Sequence, residues 1–208
     1  QRQMCIRDSR LHRNYQDDIS LHYYLLASKD GITIGKRYFK HENNKEDYPF
    51  SPSGHNLYDN NSKLYYCRDF DNIVYQIHED SVVPRFRINL PNPLPASMIE
   101  ERPNEMSLLR SGYSLGITDI YEYGGLLFFR FVKDGYIWSC LYNVEESKQV
   151  YCAKRIKFLD SSLIDTIDGI YKDCFYSILT PEYLDYAFSE NPLEDYPDLF
   201  KTLSLIHI

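Results

Sequence analysis

Three short stretches of turn chemistry, each set between two runs rich in aromatic and aliphatic residues, constrain this chain more than anything else in it. Asp30-Gly31 separates residues 24–28 from 32–39, Asp71-Asn72 separates 64–68 from 73–78, and Asp134-Gly135 separates 126–132 from 136–142. Asp, Asn and Gly tolerate the positive φ that tight hairpin turns demand, so each stretch predicts a β-hairpin. The flanking runs behave as strands. Phe86, Ile88 and Leu90 alternate with Arg85, Arg87 and Asn89, and Ile73, Tyr75 and Ile77 alternate with Val74, Gln76 and His78, the period of a strand with distinct faces. A fourth hairpin is expected between 136–142 and 150–158, turning across 145–148.

The spacing of the turns carries the topology. Asp30 and Asp71 lie 41 residues apart and Asp71 and Asp134 lie 63 apart, the second interval being longer by 22. Residues 91–112 are 22 long and open on Pro91, Pro93 and Pro95. Those prolines remove ladder donors, so the segment cannot be central strand. Setting it aside as an insertion leaves a regular period near 41, within the roughly 40–50 residues of a four-stranded propeller blade. The fold class expected is therefore all-β, a partial β-propeller of about three to four antiparallel blades. An irregular insertion near 91–112, with a turn or two of helix within 96–109, interrupts it. A short helix is expected near 181–188, with Thr180 as N-cap, Pro181 in the first turn and Glu182 behind it.

Composition agrees, since 20 Tyr and 11 Phe in 208 residues suit pleated, half-buried surfaces better than helices. The longest strongly apolar stretch, 126–129, is cut by Arg130, far short of the roughly 18 residues that span a bilayer.

Both termini read as foreign to the fold. Residues 203–208 (Leu-Ser-Leu-Ile-His-Ile) are spelled by CTG TCT CTT ATA CAC ATC, the mosaic end of transposase-based sequencing libraries. Its reverse complement encodes Gln3-Met4-Cys5-Ile6-Arg7-Asp8-Ser9. Residues 1–9 and 203–208 are therefore expected to be adapter-derived, with 10–202 as the partial propeller domain. The formal charge of −7 becomes −8 without Arg2, Arg7 and Asp8. An acidic chain with only isolated basic pairs, Lys36-Arg37 and Lys154-Arg155, is a poor partner for nucleic acid.

Cys67, Cys140, Cys152 and Cys174 show no C-x-x-C spacing, which excludes zinc ribbons and thioredoxin-type motifs. Cys140 and Cys152 lie six residues either side of Glu146. In a hairpin symmetric about Glu146 they face each other at about 4.5–5.5 Å between Cα atoms, close enough to bridge. A slip of one residue, which an irregular loop at 144–148 could produce, would instead put them on opposite faces.

The run Leu64-Tyr65-Tyr66, then Asn72 through Ile77, then Pro84 through Leu90 resembles the bacterial six-bladed β-propeller proteins that are usually exported as lipoproteins. Asp165 to Gly169, Phe175 and the expected helix at Pro181 are similar to the segment that follows the last outer strand in that family. The resemblance covers most of 20–190 and implies the fold, an exported periplasmic or cell-surface location, and a parent that is lipid-anchored. Family members largely lack an assigned activity, so no catalytic residue follows from it. Six blades at this period need roughly 250 residues or more, so the ring is not expected to close within this chain.

Catalytic signatures are missing. His12, His22, His41, His55 and His78 show neither H-x-H nor H-E-x-x-H spacing, so no metal is expected. Asp165, Asp168 and Gly169 lack the ligand spacing of a calcium loop and read as turn residues. G-x-S-x-G, G-x-G-x-x-G and P-loop motifs do not occur, so no cofactor is expected either. Aromatic residues on the hairpins are the remaining candidates. Tyr65, Trp138 and Tyr142 are expected to contact ligand, since rings on a rigid sheet can stack on sugars or grip extended peptides. The function expected is a non-enzymatic binding or scaffold module that captures carbohydrate or peptide. The competing expectation is a lyase or hydrolase with its site at the mouth of the propeller channel, marked by convergent histidines or acids.

Overall fold

The structure, a computed structural model, describes residues 5–8, 23–28, 34–40, 56–60, 63–101, 103–154, 156–158, 161–164 and 167–182. Its centre is two four-stranded antiparallel sheets. One runs β4 (Leu57–Asn60), β5 (Lys63–Cys67), β6 (Ile73–Ile77) and β7 (Val82–Arg87) in chain order. The other runs β8 (Ser114–Tyr123), β9 (Leu126–Lys133), β10 (Tyr136–Asn143) and β11 (Lys148–Ala153). Before them comes a three-stranded sheet of β1 (Cys5–Asp8), β2 (Tyr23–Ser28) and β3 (Ile34–Lys40). The first of these strands falls inside the segment expected to be adapter-derived and pairs antiparallel with β2. Two hairpins follow the central sheets: β12 (Ile156–Phe158) with β13 (Ser161–Ile164), and β14 (Gly169–Tyr171) with β15 (Cys174–Tyr176).

The sheets are stacked face to face, and the sequence of the middle one shows why. Tyr65 and Tyr66 are adjacent in β5 and therefore point to opposite faces, yet neither is accessible to solvent. Tyr66, Tyr75 and Ile77 face the first sheet, where they meet Leu25 and Phe39, whose ring stacks on Tyr66 at 5.4 Å. Tyr65, Cys67 and Val74 face the third sheet and meet Ile117, Ile120, Phe129 and Phe131. A strand apolar on both faces is buried on both. Full burial of a side chain such as Val74 contributes roughly 1.5–3 kcal/mol.

Strands β4 and β8 are the sheet edges that approach each other. A bare edge leaves main-chain groups unpaired, and here side chains of β4 cover that of β8. The Asn60 carboxamide donates to Ile120 O at 3.3 Å and accepts from Glu122 N at 2.6 Å, while Tyr58 Oη donates to Thr118 O.

The turns fall largely where expected. Asp134 and Gly135 have φ of 55° and 72° and join Lys133 to its partner Tyr136, the two-residue type I′ geometry. Gly124-Gly125 does the same between β8 and β9. β2 and β3 pair antiparallel as expected, although Asp30-Gly31 itself lies outside the described residues. The expected turn at Asp71-Asn72 sits two residues earlier, at Asp69-Phe70, closed by Asp71 N donating to Arg68 O at 3.3 Å. Asp71 serves as a cap instead. Its Oδ1 accepts from Asn72 N and Ile73 N, and its Oδ2 pairs with Arg68.

The 91–112 insertion connects the outer strand of one blade to the inner strand of the next. It holds α1 (Ala96–Glu100) and α2 (Glu105–Leu109), the second capped by the Asn104 side chain. Leu108 anchors it against Leu115 and Val132. Near the C-terminus the backbone is helical at Pro181 and Glu182, and the rest of the helix expected near 181–188 lies outside the described residues.

Candidate functional site

The fourth hairpin determines the geometry of a face that carries a cavity. β10 and β11 join through a four-residue turn in which Asn143 Oδ1 accepts from both Glu145 N and Glu146 N at 3.0 Å. That turn sets Asn143 opposite Lys148 and Tyr142 opposite Gln149, a register that would leave Cys140 and Cys152 out of opposition. A β-bulge then skips Val150 and shifts the register by one, so that Leu141 meets Tyr151 and Cys140 meets Cys152. The two cysteines form a disulfide with Cα atoms 4.0 Å apart. The slip that threatened the pairing does occur, and the bulge cancels it. β11 ends at Ala153 rather than continuing to 158, and residues 156–158 pair with β13 instead.

Above this disulfide lies a cavity of about 560 Å³ between the third blade and residues 88–91, the extended continuation of β7. That volume is within the roughly 300–1,000 Å³ of ligand pockets. Phe129 and Phe131 reach it from β9, Trp138 and Cys140 from β10, and Gln149 and Cys152 from β11; Ile88, Leu90 and Pro91 form the opposite wall. Lys133 also contributes to the lining, with its ammonium paired to Asp134 at 2.8 Å. The Asp134-Gly135 turn fixes these positions, because pairing Lys133 with Tyr136 forces Phe131 opposite Trp138 and Phe129 opposite Cys140.

Of the three aromatic residues expected to contact ligand, only Trp138 lines the cavity. Its ring lies nearly parallel to Phe131, 12° and 6.3 Å away, with the Lys154 ammonium 5.8 Å from its centroid. The indole Nε1 is buried and has no acceptor among the described residues. Tyr142 is partly buried against the core four residues further along the same strand. Tyr65 belongs to a different cluster, at the junction of the two four-stranded blades, where its hydroxyl donates to Glu122 Oε2. Lys63 and Arg85 complete that cluster at 3.2 and 2.9 Å from the carboxylate. Burial alone would raise the Glu122 pKa, but hydrogen bonds from Tyr65, Arg85 and Lys63 outweigh it and hold the carboxyl below its ordinary value. Burial and the same carboxylate push the Tyr65 phenol up. The arrangement is a charged clamp between blades.

Among the described residues no group of three or more His, Cys, Asp or Glu side chains could hold a metal. His12, His22, His41 and His55 lie outside them, as does Asp165. Asp168 is engaged structurally: its Oδ2 accepts from Ile178 N at 2.6 Å and its carbonyl accepts from Tyr121 Oη at 3.2 Å. No helix among the described residues is long and apolar enough to cross a membrane.

Four-stranded antiparallel sheets stacked face to face, with neighbouring inner edges in contact, define a β-propeller, and this chain holds part of one. Residues 10–162 match the 6-bladed beta-propeller family, and the chain belongs to it. A crystal structure described as a "Putative exported protein" from Bacteroides fragilis superposes with a TM-score of 0.54 at 15% identity over 68% of this chain. The present chain spans 41% of that protein, and at this identity the likeness concerns the fold alone. No curated protein matches the sequence.

Proposed function

We propose that the chain is a non-enzymatic binding module of an exported bacterial β-propeller protein, capturing carbohydrate or peptide in the cavity beside Trp138. The observation that carries this reading is the lining itself. Three aromatic rings and a disulfide form its floor, and neither carboxylate nor imidazole is among the lining residues. General acid–base chemistry needs such a group within reach of substrate, so the composition supports binding over the lyase or hydrolase alternative. Export is supported by the description of the structurally similar Bacteroides protein and by the Cys140–Cys152 bridge, which forms and persists in oxidising compartments. The same reading takes 10–202 as the domain, of which residues 10–162 are covered by the family match.

Saturation-transfer NMR of the chain with a panel of oligosaccharides and short peptides tests the proposal. Binding without chemical change of the ligand is expected. New product resonances would overturn the non-enzymatic reading, and a complete lack of transfer would overturn binding.

A further inference from the structure

We infer that the Cys140–Cys152 bridge is a thiol-exchange site entered through the cavity: a dithiol reductant attacks Cys152 Sγ, and cleavage releases the end of β11 from the blade. The exchange does not depend on which ligand the cavity takes.

Both cysteines line the cavity, but they differ in access. Cys140 lies on β10 between two paired strands, opposite Phe129, and is 3% exposed. Cys152 lies on the outermost strand of the sheet and is only partly buried. Exchange requires a thiolate to reach one of the two sulfurs, and the cavity presents Cys152. The reductant's thiolate bonds to Cys152 Sγ as the bond to Cys140 Sγ breaks, and the departing Cys140 sulfur takes a proton. The second thiol of the reductant, ionised, then displaces Cys152, which is protonated in turn. The reductant leaves as a disulfide, two electrons poorer, and the chain holds two thiols.

The hairpin is built so that this cleavage matters locally. Among the described strands β11 pairs with β10 alone. The bulge at Val150 interrupts their ladder, and past Ala153 the chain leaves β10, since residues 156–158 pair with β13. Beyond the bulge only residues 151–153 remain paired with β10, and the bridge sits at the middle one. So short an edge ladder opens at low cost once its covalent tie is cut. β11 supplies Gln149 and Cys152 to the lining, so its release moves that wall, while Phe129, Phe131 and Trp138 stay on β9 and β10.

Cys174→Ser removes the exposed free thiol and leaves the bridge as the point of reaction. This variant is treated with glutathione, quenched in acid at early times and mapped by mass. The mixed disulfide is expected on Cys152, about tenfold in excess over Cys140. Hydrogen exchange of the same chain, oxidised and then reduced with dithiothreitol, gives the second readout. Exchange across 148–153 should quicken about tenfold on reduction, with β8 and β9 unchanged. An adduct on Cys140, an equal split, or a bridge that resists both thiols in the folded chain would overturn the assigned site. Exchange at 148–153 that stays the same, or that quickens equally across the whole blade, would overturn the local release.

Discussion

Gly116 of β8 lies directly against the main chain of Phe70: a Cβ on Gly116 would stand 2.8 Å from both Phe70 N and Phe70 Cα. The contact docks the β5–β6 turn of one blade onto the inner strand of the next, beside a hydrogen bond from Ile117 N to Asp71 O at 3.2 Å. Gly116 also has φ of +92°, a conformation that costs any other residue. Gly116→Ala should therefore lower stability by about 2–4 kcal/mol, the range of strain and overpacking combined. Urea denaturation would measure it, and a loss below about 0.5 kcal/mol, typical of neutral surface changes, would contradict the docking role.

The Glu122 clamp predicts a pH dependence. Its folded pKa is lowered, so the unfolded chain binds the proton more readily. The stabilisation is fully present above the unfolded glutamate value of about 4.3. It disappears as pH falls through the folded value. Glu122→Gln should consequently differ most from the parent at neutral pH, with the gap narrowing below pH about 4. Chemical denaturation across pH 3–7 checks the sign; a gap that widens toward acid would refute it.

Thiol chemistry should sort the cysteines of the described blades into three kinds. Cys174 is exposed and should react with a thiol reagent in the native protein, whereas Cys67 is buried and should react only on unfolding. Burial also pushes the Cys67 thiol pKa well up, which suppresses the reactive thiolate. Cys140 and Cys152 should become reactive only after reduction. Replacing both by Ala should cost roughly 2–3 kcal/mol, the entropy of releasing a short loop. Mass mapping of alkylated peptides distinguishes the three kinds.

How much of this was legible in the sequence depended on whether a local signal governed the position. Asp134-Gly135 fixed its own turn, and through it the rows that set Phe131 beside Trp138. Asp71-Asn72 marked the right hairpin but the wrong pair, because the Asp71 carboxylate is consumed in capping and Phe70 takes the left-handed position at φ 58°. β8 carries no readable alternation, since residues 114–121 are buried on both faces. The pairing of Tyr65 with Glu122 had no sequence signal, because Glu122 comes from another blade 57 residues away. The wall at 88–91 faces Trp138 only once two blades are docked, and no spacing rule encodes that.

The bulge at Val150 has a consequence for how this hairpin can change length. A four-residue turn followed by one skipped residue places the cysteines opposite each other just as a five-residue turn without a bulge would. Insertions in the turn and deletions at Val150 are therefore interchangeable, provided they come as a pair. The disulfide acts as the proofreader of that exchange, since any single change in length separates the thiols to opposite faces. The loop can therefore change length only together with the bulge, and the floor beneath Trp138 then keeps its place.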